Sequence, residues 1–121
     1  MNPTRAAYDR VRDALAGLSC GPAVRGLMPD TAPVGPVVIV DPPAAVERTA
    51  PCVWEMSCDI RVYPAASSAV DSLLDLTDET VTALAAVGLP AVWRQEWREQ
   101  GDSTLPIYLI STDFGVNGDR T

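Results

Sequence analysis

Three acidic residues, Asp71, Asp75 and Glu79, recur every four positions and so fall along one side of a helix, where carboxylates can share a proton or gather round a cation. Each of those roles needs partner groups that the chain is short of. Histidine is absent from all 121 residues, which removes the commonest general base, the Ser-His and Cys-His nucleophile pairs and the commonest metal ligand together. The three cysteines, Cys20, Cys52 and Cys58, contain no Cys-x-x-Cys pair and without histidine make a poor zinc set. The eight glycines are scattered, with no phosphate-cradling run and no Gly-Lys-Ser/Thr. The acidic repeat therefore reads first as a solvated helix face with charges placed favourably near the helix N-terminus. Its other reading is a stripe that faces an arginine-bearing neighbour or lines a channel for DNA. The expectation is a chain without catalytic residues, cofactor or metal site.

Aromatic and charged residues point instead towards surfaces. Trp93 and Trp97 fall on one side of a strand with Gln95 between them, which makes them core residues, the plainer reading, or anchors for a partner. Tyr63, at the mouth of a turn and opposite an apolar face, is read the other way round, as an anchor first. The formal charge is −7 and the pI about 4.3, so the field of the whole molecule repels phosphate backbones and anionic membranes. All nine basic residues are arginine, which with the wealth of Ala, Val, Asp and Pro suggests GC-rich coding. The N-terminal run from Met1 to Arg5 shows no apolar signal core, and no segment approaches the roughly 18 apolar residues of a membrane span. A cytosolic protein is expected. Cys52 and Cys58, six positions apart on one strand, would stand about 20 Å apart and cannot pair. Reduced, buried thiols are the expectation.

The elements that must hold these residues follow from hydrophobic spacing. Asn2-Pro3 starts a helix with the stripe Ala7, Val11, Ala14, Leu15 and Leu18, ending near Gly17 to Gly21. Residues 23–28 form a weak strand candidate, and residues 36–40 a buried, mostly β-branched strand. The run from Asp41 to Pro51 is too proline-rich for a regular element and is expected to be a protruding loop. From Cys52 to Tyr63 apolar and mostly polar residues alternate, as in a long antiparallel strand packed on one face. Ser67 or Ser68 caps a second helix with the stripe Val70, Leu73, Leu74, Thr77, Val81 and Leu84, which stops at Gly88 and Pro90. Strands over 91–98 and 105–112, joined by a turn at 100–103, close the domain. Pro106 predicts an edge or bulge at that point, and an edge is a place for subunit pairing. The order α-β-β-β-α-β-β predicts one α+β domain over 1–121, with both helices on one face of a mostly antiparallel four- to five-stranded sheet and a frayed tail from 115 to 121.

Taken together, this size, order and spacing resembles the tail terminator (tail completion) proteins of long-tailed phages, especially those of actinobacterial hosts. The residues that carry the likeness are the helix from Arg5 to Leu18, Pro36-Val37-Val38-Ile39-Val40, the strand from Trp54 to Tyr63, Leu73-Leu74-Asp75, the Trp93 strand and Pro106-Ile107-Tyr108-Leu109. The resemblance implies a structural virion protein of the tail and neck, assembled in the host cytoplasm, whose subunits form a hexameric ring. Such a ring caps the tail tube, halts its polymerisation and presents a surface to the head connector, while DNA passes only as cargo. Its partners would be copies of itself, the major tail-tube protein and the connector. On that reading Pro42, Pro43, Glu47 and Arg48 in the proline-rich loop are candidates for axial contact, Tyr63 for an anchor, and Arg94 and Arg98 facing the acidic Asp71 and Asp75 for the subunit seam. Head-closure and tail-tube proteins are neighbouring alternatives. A small acidic inhibitor or DNA mimic that binds a host protein is the alternative from another class.

Overall fold

Pro3 occupies the first helical position, where its missing N–H deprives no carbonyl, and opens α1 (Pro3–Ala14). Ala7, Val11 and Leu15 recur at helical spacing and are wholly buried, so the expected stripe is the one that faces the core. The computed structural model describes residues 3–21, 23–25, 36–51, 53–64, 69–100 and 103–117. Beyond α1 these residues form β1 (Val24–Arg25), β2 (Val37–Val40), β3 (Ala44–Ala50), β4 (Val53–Tyr63), α2 (Ala69–Ala86), β5 (Val92–Gln100) and β6 (Ser103–Asn117).

All six strands belong to one sheet in the order β1-β2-β4-β6-β5, with β3 paired to β4 beyond the end of β2. Only β1 and β2 run parallel; the other pairings are antiparallel. The strict alternation along β4 aims Met56, Cys58, Ile60 and Val62 at one face, where they meet Ile110 and Phe114 of β6 and the buried faces of both helices. Helix α1 packs over β2, β4 and β6, and α2 over β4 and β6. The protein is thus α+β, with two helices on one side of a mostly antiparallel sheet, as the spacing predicts.

Helix α2 ends in a Schellman motif. The Leu89 N–H donates to Leu84 O, and the N–H of Gly88 to Ala85 O, each at 3.0 Å. Gly88 takes φ +77, and Leu84 and Leu89 close the motif inside the core. Arg10 of α1 adds a bond from Nη2 to Val87 O at 3.4 Å while its guanidinium lies over the Phe114 ring.

Three expectations are corrected. The run from Asp41 to Pro51 is not a protruding loop: Ala44–Ala50 pairs with Val53–Ser57 as β3, and only Asp41-Pro42-Pro43 interrupts an otherwise continuous β2–β3 path along β4. Prolines are tolerated there because Pro42 and Pro43 lie past the last β1–β2 and β2–β4 pairs, which end at Val40, and before β3 begins at Ala44, so a missing N–H breaks no ladder bond. Second, Gly115, Val116 and Asn117 are not tail but the end of β6, paired with Glu55, Trp54 and Val53; the long β4 recruits a matching length of partner. Third, the buried stripe of α2 keeps the expected Leu73, Thr77 and Leu84 but takes in Leu76 and Thr80 in place of Val70 and Leu74. Leu73, Leu76, Thr77, Thr80 and Leu84 are buried, whereas Val70 and Leu74 are 64% and 46% exposed. Pro106 lies past the last β4–β6 pair, Val62↔Tyr108, where β6 is paired with β5 alone, so the strand has an edge at that point as expected. The expected helix cap at Ser67 or Ser68 and residues 26–35 lie outside the described residues, as does Cys52.

Candidate interaction surface

Strand β5 pairs with β6 over nine consecutive residue pairs without a register shift. Its other edge has no strand partner among the described residues. The pairing Trp93↔Ile110 and Trp97↔Pro106 puts both tryptophans on the helix side of the sheet, and Arg94↔Leu109 and Glu96↔Ile107 put the charged pair on the other. Neither helix packs extensively on β5, so Trp93 and Trp97 are not core residues: they are 48% and 64% exposed. Arg94 donates from Nε and Nη2 to Glu96 Oε1 at 3.1 and 3.0 Å, along its own strand. Arg98 continues the strand, with its backbone opposite Leu105.

The opposite edge of the sheet is built differently. There β3 shows two register shifts against β4, between Ala45 and Glu47 and between Arg48 and Ala50, and Pro42 and Pro43 break the path before it. Bulges and prolines are the usual guards against edge-to-edge pairing. Pro42 is exposed and Pro43 buried, while Glu47 and Arg48 sit at backbone positions opposite Glu55 and Trp54.

Tyr63, expected as a surface anchor, is buried. The face away from the helices carries a second small cluster of Ile39, Tyr63 and Ile107. Beside it Arg61 holds Asp41 by a two-pronged pair, Nη2 to Oδ1 at 2.7 Å and Nε to Oδ2 at 3.1 Å, and donates from Nη1 to Tyr63 Oη at 3.1 Å. The Arg61 side chain is 3% exposed. Burial acts to lower its pKa, but the hydrogen bonds and charge of Asp41 outweigh that and hold it above its ordinary value. The pair pins the residue from which the Pro42-Pro43 break departs, and the Asp41 N–H continues the ladder to Asp59 O at 2.9 Å. Ser111 Oγ donates to Asp59 Oδ1 on the same face.

Of the acidic repeat, Asp71 and Asp75 are exposed, while Glu79 is half-buried. Glu79 accepts from the Ser19 N–H at 2.6 Å and from Ser19 Oγ at 2.7 Å, bracing the turn after α1. An open groove of about 430 Å³ beside this brace has a floor of Ala14, Leu18, Ala83 and Ala86 and a rim of Asp78 and Glu79. Arg94 lies on the sheet face opposite α2, so it does not meet Asp71 or Asp75 within one subunit. Cys20 and Cys58 are free thiols. Burial first, then the charges of Asp59 and Asp41, push Cys58 up to about 12, and burial raises Cys20. Among the described residues no group of three or more His, Cys, Asp or Glu could hold a metal ion, and no helix is long and apolar enough to cross a membrane.

Neither a protein-family model, nor a curated protein, nor a solved structure matches this chain. Sequence reading missed the exposure of the two tryptophans, and the signal that bears on it is the flanking pattern: Val92 to Gln100 alternates tryptophan and glutamine with charges, so neither face of the strand is continuously aliphatic.

Proposed function

We propose that the chain is a non-catalytic assembly subunit of the tail-terminator kind, working through its surfaces. The observation that carries this reading is the β5 edge: a long, regular strand edge, unpaired among the described residues, with two exposed tryptophans, the residue type that dominates interface energetics. On this reading the chain caps a tail tube, with the head connector on the far side and DNA passing through. The Pro42-Pro43 break, rather than a free loop, is the axial candidate, since Pro42 is exposed while its neighbours are anchored through Asp41 and Pro43.

The test is to mix the purified chain with growing tail tubes and follow both by light scattering and electron microscopy. Tubes of arrested length, each ending in a particle of about six times the 12.9 kDa chain mass, are expected. Undiminished tube growth with no chain at the ends sinks the reading.

A further inference from the structure

The β5 edge has a symmetry of its own. Counting outward from Gln95, the strand reads Arg94 and Glu96 at one step, then Trp93 and Trp97 at two. An antiparallel neighbour with the same sequence, centred on the same glutamine, places Arg94 opposite Glu96, Glu96 opposite Arg94 and each tryptophan opposite the other kind. Residues paired across antiparallel strands project to the same face, so the tryptophans meet on the helix side and the charges on the other, as the β5–β6 register separates them.

We propose that a second copy of this chain adds to β5 edge to edge, about a twofold axis through Gln95, to form one continuous sheet. The proposal rests on reading β5 as a contact surface and goes beyond the ring, because a contact of this kind is isologous and closes on two copies.

Three observations favour a second copy over another occupant. The first is charge. In a molecule of net −7, residues 92–100 carry two arginines and two glutamates, so the edge is the neutral strip along which like molecules approach without repulsion. Each Arg94 already reaches Glu96 of its own strand at 3.0 Å, and the neighbour's pair turns this into an alternating network of four charges. The second is the edge itself, which is regular over nine residues with no proline or bulge, whereas on the far side β3 is bulged and preceded by the Pro42-Pro43 break. The third is room. Helix α2 lies over β4 and β6, so with strands spaced about 4.8 Å two such helices stand roughly 14–19 Å apart, clear of each other at a helix diameter of about 10 Å. The side of α2 away from Glu79 and α1 carries Val70 and Leu74, 64% and 46% exposed, which then wall a trough floored by the paired tryptophans.

Sedimentation equilibrium across a wide concentration range tests this with the full chain and three exposed-site variants. The wild type is expected to pass from monomer to dimer. Arg94→Glu and Glu96→Arg each set like charges opposite at both symmetric positions, and each should weaken the dimer by about tenfold. Arg94→Glu/Glu96→Arg exchanges the two and should return the dissociation constant to within about threefold of wild type. Hydrogen exchange supplies a second readout, with alternate β5 amides slowing as the dimer forms in wild type and in the exchanged pair. A strict monomer at every concentration overturns the dimer, even if rings form on tail tubes. So does a dimer that the single changes leave intact, or one whose β5 amides exchange as fast as in the monomer. A dimer restored by the exchange, in a chain that never caps a tube, upholds this contact and sinks the ring alone.

Discussion

Replacing Asp41 by alanine isolates the buried ion pair that anchors the break between β2 and β3. The change leaves the Arg61 guanidinium, 3% exposed, without the carboxylate that takes two of its hydrogen bonds. Removing one partner of a buried pair typically costs about 3–5 kcal/mol, because the remaining charge stays desolvated. Asp41 is itself 28% exposed, so water can enter in its place and the loss belongs at the lower end, about 3 kcal/mol. A domain of this length has roughly 6–18 kcal/mol in all. With a urea m-value of about 1.5–2 kcal/mol/M, the unfolding midpoint should fall by roughly 1.5–2 M with the slope unchanged. Asp41→Leu/Arg61→Met removes both charges and should recover most of that loss, since an apolar replacement of the whole pair is often neutral. Urea titrations followed by circular dichroism measure both. A single-variant loss below about 1 kcal/mol, or a double variant less stable than the single, would refute the argument.

Two further outcomes follow from the fold. The Cys58 thiol, held at about 12 against an ordinary 9.0, stays neutral in the folded chain. At pH 8 alkylation of Cys58, read by mass spectrometry, should run about a thousandfold slower than in denaturant. The associated stability is fully present below pH 9, where the unfolded thiol is also protonated, and is lost as pH rises towards 12, by up to about 4 kcal/mol. Gly88→Ala forces a Cβ into φ +77 at the end of α2 and should cost about 1 kcal/mol in thermal or urea unfolding. Gly88→Asn, which tolerates that conformation better, should cost less.

Much of the architecture is legible from spacing alone. The period-two alternation of β4 and the four-residue spacing of Ala7, Val11 and Leu15 each record a single buried face, and both faces lie where expected. Strand β3 is not legible, because Ala-Ala-Val-Glu-Arg-Thr-Ala has little intrinsic strand preference and forms through its pairing with β4. The phase of α2 is misread for a related reason. Val70 and Leu74 look like core to a helical count, but Leu76 and Thr80 hold the inward positions beside Leu73, Thr77 and Leu84, Thr80 by bonding back to Leu76 O at 2.7 Å. Tyr63 is misplaced because alternation assigns one face to the core and is blind to the second cluster on the other. As for the candidate surface, the residue types of β5 are visible in sequence, but their exposure depends on where the helices stop.

The double register shift of β3 has a consequence for what the molecule becomes at high concentration. A sheet with two receptive ends is a monomer for fibres, since every addition regenerates the end it used. Here the β3 part of one end is kinked out of line by its bulges, and β1 spans only two residues beside it, so a chain joined through the other end offers the next copy a short and broken edge. Through the β5 contact proposed above, growth by strand addition is disfavoured after one step, where a symmetrical design would gel.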